Sequence, residues 1–126
     1  MLKLFRLFVV ALAFIPGNAS AAGNAFDQAH FDTLLKEGKP FLVVIHADWC
    51  PICKAQAPLL SEVLATPEMK PITTLTVDFD KQKNALKSVK ATMQSTLILY
   101  KGGKEVDRST GETRKEKIVA FLKQVL

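Results

Sequence analysis

Apolar runs separated by short polar breaks divide the chain, and each run has a readable period. In "DQAHFDTLLKE", residues 27–37, Phe31, Leu34 and Leu35 fall on one helical face, and Gly38 follows as a stop. "PFLVVIHA", residues 40–47, is an unbroken apolar and β-branched run. A strand that reads this way is buried on both faces, in a sheet with helices on each side. Cys53, Ala57, Leu60 and Leu64 recur at helical spacing, with Pro58 as a kink inside the helix. "ITTLTVDF", residues 72–79, predicts a second strand, and a short polar helix follows through Leu86 and Val89. "STLILY", residues 95–100, predicts a third strand, and Gly102-Gly103 suits a tight hairpin into "KEVDRST". Thr113 and Glu116 match a capping box. Ile118, Phe121, Leu122 and Val125 then form the apolar stripe of a closing helix.

This order predicts an α/β fold, a mixed sheet sandwiched by helices. In such sheets ligand sites lie at the carboxyl ends of strands that lead into helices. Residues 46–54, "HADWCPICK", occupy such a junction and hold both cysteines, Cys50 and Cys53.

The first residues follow a different pattern. Lys3 and Arg6 precede the apolar run Leu7–Ile15, which Pro16 and Gly17 end before the small residues of "NASAAG". That run is too short to cross a bilayer, which takes about 20 residues. A basic start, a short apolar core and an Ala19-Ser20-Ala21 site predict a cleaved secretory signal over residues 1–21. A buried N-terminal helix is the competing reading. Cleavage after Ala21 or Ala22 would leave a domain over residues 22–126, expected to be periplasmic or secreted, without membrane insertion and monomeric. Removing residues 1–21 leaves 15 basic against 12 acidic residues, a net charge of +3. Such a mild excess, spread as single lysines, argues against a nucleic-acid partner. About 105 residues make one domain with one core.

Small exported domains often depend on several disulfides, but this chain has only two cysteines. A Cys50–Cys53 bridge closes so short a loop that it restrains the unfolded chain little, which points the pair toward chemistry. The first turn of a helix carries unpaired N–H groups and a partial positive charge. A thiolate there is stabilised, and a thiol pKa of about 8.5 can fall to roughly 3.5–7.5. Pro51 suits the first helical position, where its missing N–H has no helical partner to lose. Cys53, one turn further in, is expected beneath Cys50 with a less exposed sulfur. Cys50 is then the attacking thiol and Cys53 the resolving one.

"FLVVIHADWCPICKAQAP", followed by "STLILYKGGKEVDRSTG", resembles the thioredoxin family over nearly all of residues 26–126. The motifs are Trp49 through Lys54, Pro58 five residues after the second cysteine, the Gly-Gly hairpin and Gly111. The resemblance implies a thioredoxin fold with four strands, or five if a short strand forms near Phe26. It implies thiol–disulfide exchange through a mixed disulfide at Cys50, without a cofactor. The implied partners are protein thiols and disulfides and a redox partner protein. Trp49, Pro51 and Ile52 beside the nucleophile, and Ser95 and Thr96 opposite it, are the implied substrate contacts. Backbone groups of that opposite loop would pair with an extended substrate segment.

Three departures from the family pattern stand out. Counting back from Gly102-Gly103 places Ser95 where the family has a cis-proline. A cis bond without proline costs about 2.5–4 kcal/mol, so Gln94–Ser95 is expected to be trans. The Ser95 hydroxyl and N–H would then both be available to the sulfurs. Val44 stands where the family has a buried acid, and Thr76 where its accompanying lysine would be. His46, ending the buried strand, is a candidate for tuning a thiol, since histidine switches charge near neutral pH; the alternative is a core histidine with one hydrogen bond. Two other functions stay open. Cys50 and Cys53 would suit copper or zinc, with His46 as a third ligand, and an interaction domain of the same fold needs no exchange chemistry.

Overall fold

The computed structural model describes residues 23–126, so the expected export signal lies outside the described residues. The chain runs β1 (Asn24–Ala25), α1 (Gln28–Glu37), β2 (Phe41–His46), α2 (Pro51–Leu64), β3 (Thr73–Asp78), α3 (Lys83–Val89), β4 (Thr96–Lys101), β5 (Lys104–Thr110) and α4 (Lys115–Lys123). A 3₁₀ turn at Pro67–Met69, which the apolar pattern does not announce, leads into β3. The sheet order is β1-β3-β2-β4-β5. Strand β3 runs parallel to β1 and β2, while β4 runs antiparallel to β2 and β5. The conditional fifth strand therefore forms, with Asn24 opposite Leu75 and Ala25 opposite Thr76. Among the described residues no helix is long and apolar enough to cross a membrane.

The unbroken run of β2 is explained by two cores. Phe41, Val43 and Ile45 join Phe31 and Leu34 of α1 and Leu86 and Val89 of α3 on one side. Leu42 and Val44 join Leu60 and Val63 of α2 and Ile118 and Leu122 of α4 on the other. Successive strand residues point to opposite faces, so a central strand covered on both sides has no polar position to spare.

Local chemistry sets the element ends. Asp27 caps α1 by accepting the Ala29 N–H at 2.9 Å. Gly38 ends it with φ 66°, its N–H reaching the Leu34 and Leu35 carbonyls. Gly102 and Gly103 both have positive φ, 64° and 78°, which the tight hairpin requires and glycine supplies without strain. The expected capping box at Thr113 does not form. Arg114 is the N-cap of α4 and has no side-chain cap bond. Glu112 accepts the Arg114 N–H at 3.0 Å and its guanidinium at 2.8 Å, which carries the chain one residue further before the helix begins.

Candidate active site

Strand β2 ends at His46, and five residues later α2 begins with Pro51 at its first position and Cys50 as N-cap. Cys50 Sγ accepts the Cys53 N–H at 3.2 Å, so the sulfur takes the place of a capping oxygen. The two cysteines are free thiols, enclosed with Ala47 and covered by Phe79. The expected difference in exposure is absent, since both residues are only 2% exposed. The reason is Ser95, which closes over the pair with its Oγ 3.2 Å from Cys50 Sγ and 3.1 Å from Cys53 Sγ.

Ser95 itself is 3% exposed and has φ 59°. Among the described residues no peptide bond is cis, so Gln94–Ser95 is trans, as expected. The expectation that its N–H would face the sulfurs is overturned, because that N–H donates to the Ile45 carbonyl at 2.8 Å. The Ser95 carbonyl accepts the Gly111 N–H at 3.0 Å and Gln56 Nε2 at 3.4 Å. Both backbone groups of Ser95 are thus occupied within the protein, and strand-like pairing with a substrate would have to use other groups of the loop. Its hydroxyl alone is aimed at the chemistry.

A match to the thioredoxin family model spans residues 23–124. The chain belongs to the thioredoxin family. It is 32% identical to a thioredoxin of Mycobacterium bovis over 107 residues, covering 85% of this chain and 91% of that one. It is 30% identical to the bifunctional thioredoxin reductase/thioredoxin of Mycobacterium leprae over 86% of its own length, but spans only 24% of that protein. The crystal structure of Trxlp from Edwardsiella tarda is 41% identical, with a TM-score of 0.76 covering 79% of this chain and 96% of that one. Thioredoxins exchange thiols with protein disulfides and work with redox partners. With its two cysteines held together in this fold, the chain is a thiol–disulfide oxidoreductase of that family.

The thioredoxin pair is electrostatically split. Burial pushes Cys50 up, but hydrogen bonds from the Cys53 thiol, the Ser95 hydroxyl and the Cys53 and Ile52 N–H groups outweigh it and hold Cys50 below the usual thiol range. Burial, then the hydrogen bond that Cys53 gives to Cys50, holds Cys53 above that range. Hydrogen bonds to a charged form favour that form, so of the two thiols Cys50 is the one that ionises first and Cys53 the one that keeps its proton longer.

The rim is apolar and open. Trp49 is 55% exposed, with its indole N–H on Asp80 Oδ2 at 2.8 Å and its ring edge toward Phe79. Pro51, Ile52 and Met93 are exposed as well. Thr96 is buried, and its hydroxyl donates to the Met93 carbonyl at 2.8 Å. His46 Nε2 meets Asp48 Oδ1 at 3.1 Å, and its ring shares a cavity wall with Cys53. Val44 and Thr76 lie side by side in the β2–β3 ladder, where the family would put its acid and lysine. Among the described residues no group of three His, Cys, Asp or Glu side chains is placed to hold a metal.

Two participants are missing from the sequence reading. Gln56 is only 1% exposed, and its Nε2 bridges the carbonyls of Ser95 and Glu112, the latter at 3.0 Å. Asp80 holds the Trp49 ring. Gln56 occupies an apolar-stripe position of α2, which was the only available hint.

Proposed function

We propose that this protein is an exported thioredoxin-like enzyme that exchanges disulfides with protein substrates through a mixed disulfide at Cys50. The observation that carries the reading is the placement of the pair, with Cys50 Sγ capping the N-terminus of α2 and accepting the Cys53 N–H one turn inside it, an arrangement that lowers Cys50 while burial raises Cys53. The Cys50 thiolate attacks one sulfur of a substrate disulfide and displaces the other as a thiolate. Cys53 then attacks Cys50 Sγ, closing the Cys50–Cys53 bond and freeing the substrate's second sulfur. The same steps in reverse oxidise a substrate dithiol. Trp49, Pro51, Ile52 and Met93 give a substrate segment an apolar surface beside the sulfur, and Thr96 supports the loop from below. Export is supported by the basic, apolar and small-residue order of residues 1–21.

One set of preparations tests the reading. Cys53→Ser recovered from the exported fraction should carry disulfide-linked partners on Cys50 and a mass lacking residues 1–21 or 1–22. Cys50→Ser should carry none. Equal trapping by both variants removes the assignment of Cys50, and a full-length mass removes the assignment of export.

A further inference from the structure

Closing the mixed disulfide requires Cys53 to give up its proton, and the site behind it lacks the usual acceptor. A cavity there is lined by Val44, His46, Gln56, Ser61, Thr74 and Thr76 beside Cys53. None of these is a carboxylate or an amine. His46 is the one ionisable side chain among them besides Cys53, and its Nε2 is engaged with Asp48. Of the other groups acting on the Cys53 sulfur, the Ala47 N–H only donates, and Cys50 is the other half of the pair. Once Cys50 is bonded to a substrate sulfur it is no longer a thiolate and no longer draws that proton.

Ser95 remains. Its Oγ is 3.1 Å from Cys53 Sγ and 3.2 Å from Cys50 Sγ, and a hydroxyl both accepts and donates. The N–H bond to Ile45 and the two bonds accepted by its carbonyl fix the residue in place. We propose that Ser95 is a catalytic proton carrier in the resolving step, accepting the proton from Cys53 Sγ while passing its own hydroxyl proton to the sulfur leaving Cys50. In-line displacement puts the leaving sulfur on the far side of Cys50 from Cys53, so the Ser95 proton reaches it through one bridging water. The Cys50–Cys53 bond forms and the Cys50–substrate bond breaks. The cysteine pair is oxidised, the substrate sulfur leaves reduced as a thiol, and Ser95 is regenerated with no net proton taken from water. Burial raises the Cys53 thiol, which favours a transfer within the step that needs it.

The inference rests on the exchange reading above, and its test separates the two. Reduced protein is mixed rapidly with oxidised glutathione and quenched in acid, and mass spectrometry follows the mixed disulfide and the closed Cys50–Cys53 form. Ser95→Ala and Ser95→Gly should both accumulate the mixed disulfide, with closure slowed about 100-fold at neutral pH, the low end for positioned proton transfer. The gap should narrow as pH rises past the Cys53 pKa, where solvent removes the proton. Glycine takes φ 59° without strain, so slowing in the alanine variant alone would indicate loop shape and overturn the proposal. Unchanged closure in both variants, or slowing by the same factor at every pH, would overturn it too. Equal slowing by His46→Gln would route the proton through the cavity instead and would equally overturn it. If the wild-type protein never forms the closed disulfide, the exchange reading itself falls.

Discussion

Ser95 does with a hydroxyl what no proline at its position can do, and the consequence is a measurable pKa. A hydrogen bond to a charged group contributes about 1.5–3 kcal/mol, and 1.36 kcal/mol is one pKa unit. Losing the Ser95 bond should therefore raise the Cys50 pKa by roughly one unit in Ser95→Ala and make the couple more reducing, because the reduced form loses its thiolate stabilisation. Thiolate absorbance against pH reads the first effect and a redox titration the second; an unchanged or lower pKa sinks the idea. Ser95→Pro removes the same donor, but it also deletes the N–H held by Ile45 and forces φ to about −65°. Alanine is the cleaner probe. The sign for stability follows from linkage. Cys50 has its folded pKa depressed, so the stability it adds is present above the ordinary thiol pKa and lost as pH falls through the lowered value. Cys53 has its folded pKa raised, so its share is intact below the ordinary value and lost as pH rises through the raised one.

At the scale of elements, β2 and α2 do most of the positioning, and they differ in how plainly they could be read. The β2 run was legible because burial on two faces leaves no polar residue from Phe41 to Ile45, ahead of His46 at its end. Cys50 at the start of α2 was legible because Pro51 marks a first helical turn. Gln56 was not, because its meaning lies in carbonyls contributed from the loop at Ser95 and the turn at Glu112, both far along the chain. The capping box failed for a related reason, since Glu112 engages Arg114 and displaces the helix start. Gln56→Met keeps the volume but leaves the Glu112 carbonyl without its donor. A buried acceptor left unpaired costs about 1–3 kcal/mol, and because the Glu112 carbonyl is part-buried, urea denaturation should show a loss at the low end of that range. The Cys50 pKa should rise with it, because the helix no longer holds the loop that aims the Ser95 hydroxyl. A stability loss with an unmoved pKa would make Gln56 a packing residue only.

For the whole molecule, the question is where the working domain begins. Sequence periodicity set the order of the layers, yet it left β1 conditional, since two residues carry no period. The structure shows why the segment counts. The Phe26 N–H donates to the Thr76 carbonyl at 2.8 Å, and its own carbonyl accepts Gln82 Nε2 at 3.0 Å. Its buried ring lies 5.4 Å from that of Phe31, in the core beneath α1 and α3. Cleavage after Ala21 or Ala22 leaves all of this in place, with Gly23 at φ 78° fitting against Thr74, where an added Cβ would come within 2.8 Å. A chain of residues 22–126 is therefore expected to keep these contacts, and one of residues 27–126 to lose them. Removing a buried phenylalanine side chain alone costs about 3–5 kcal/mol, and β1 adds its ladder bonds to that. Urea denaturation of the two chains should differ by at least about 3 kcal/mol. Equal stability would show that the parallel edge strand decorates the sheet without holding it.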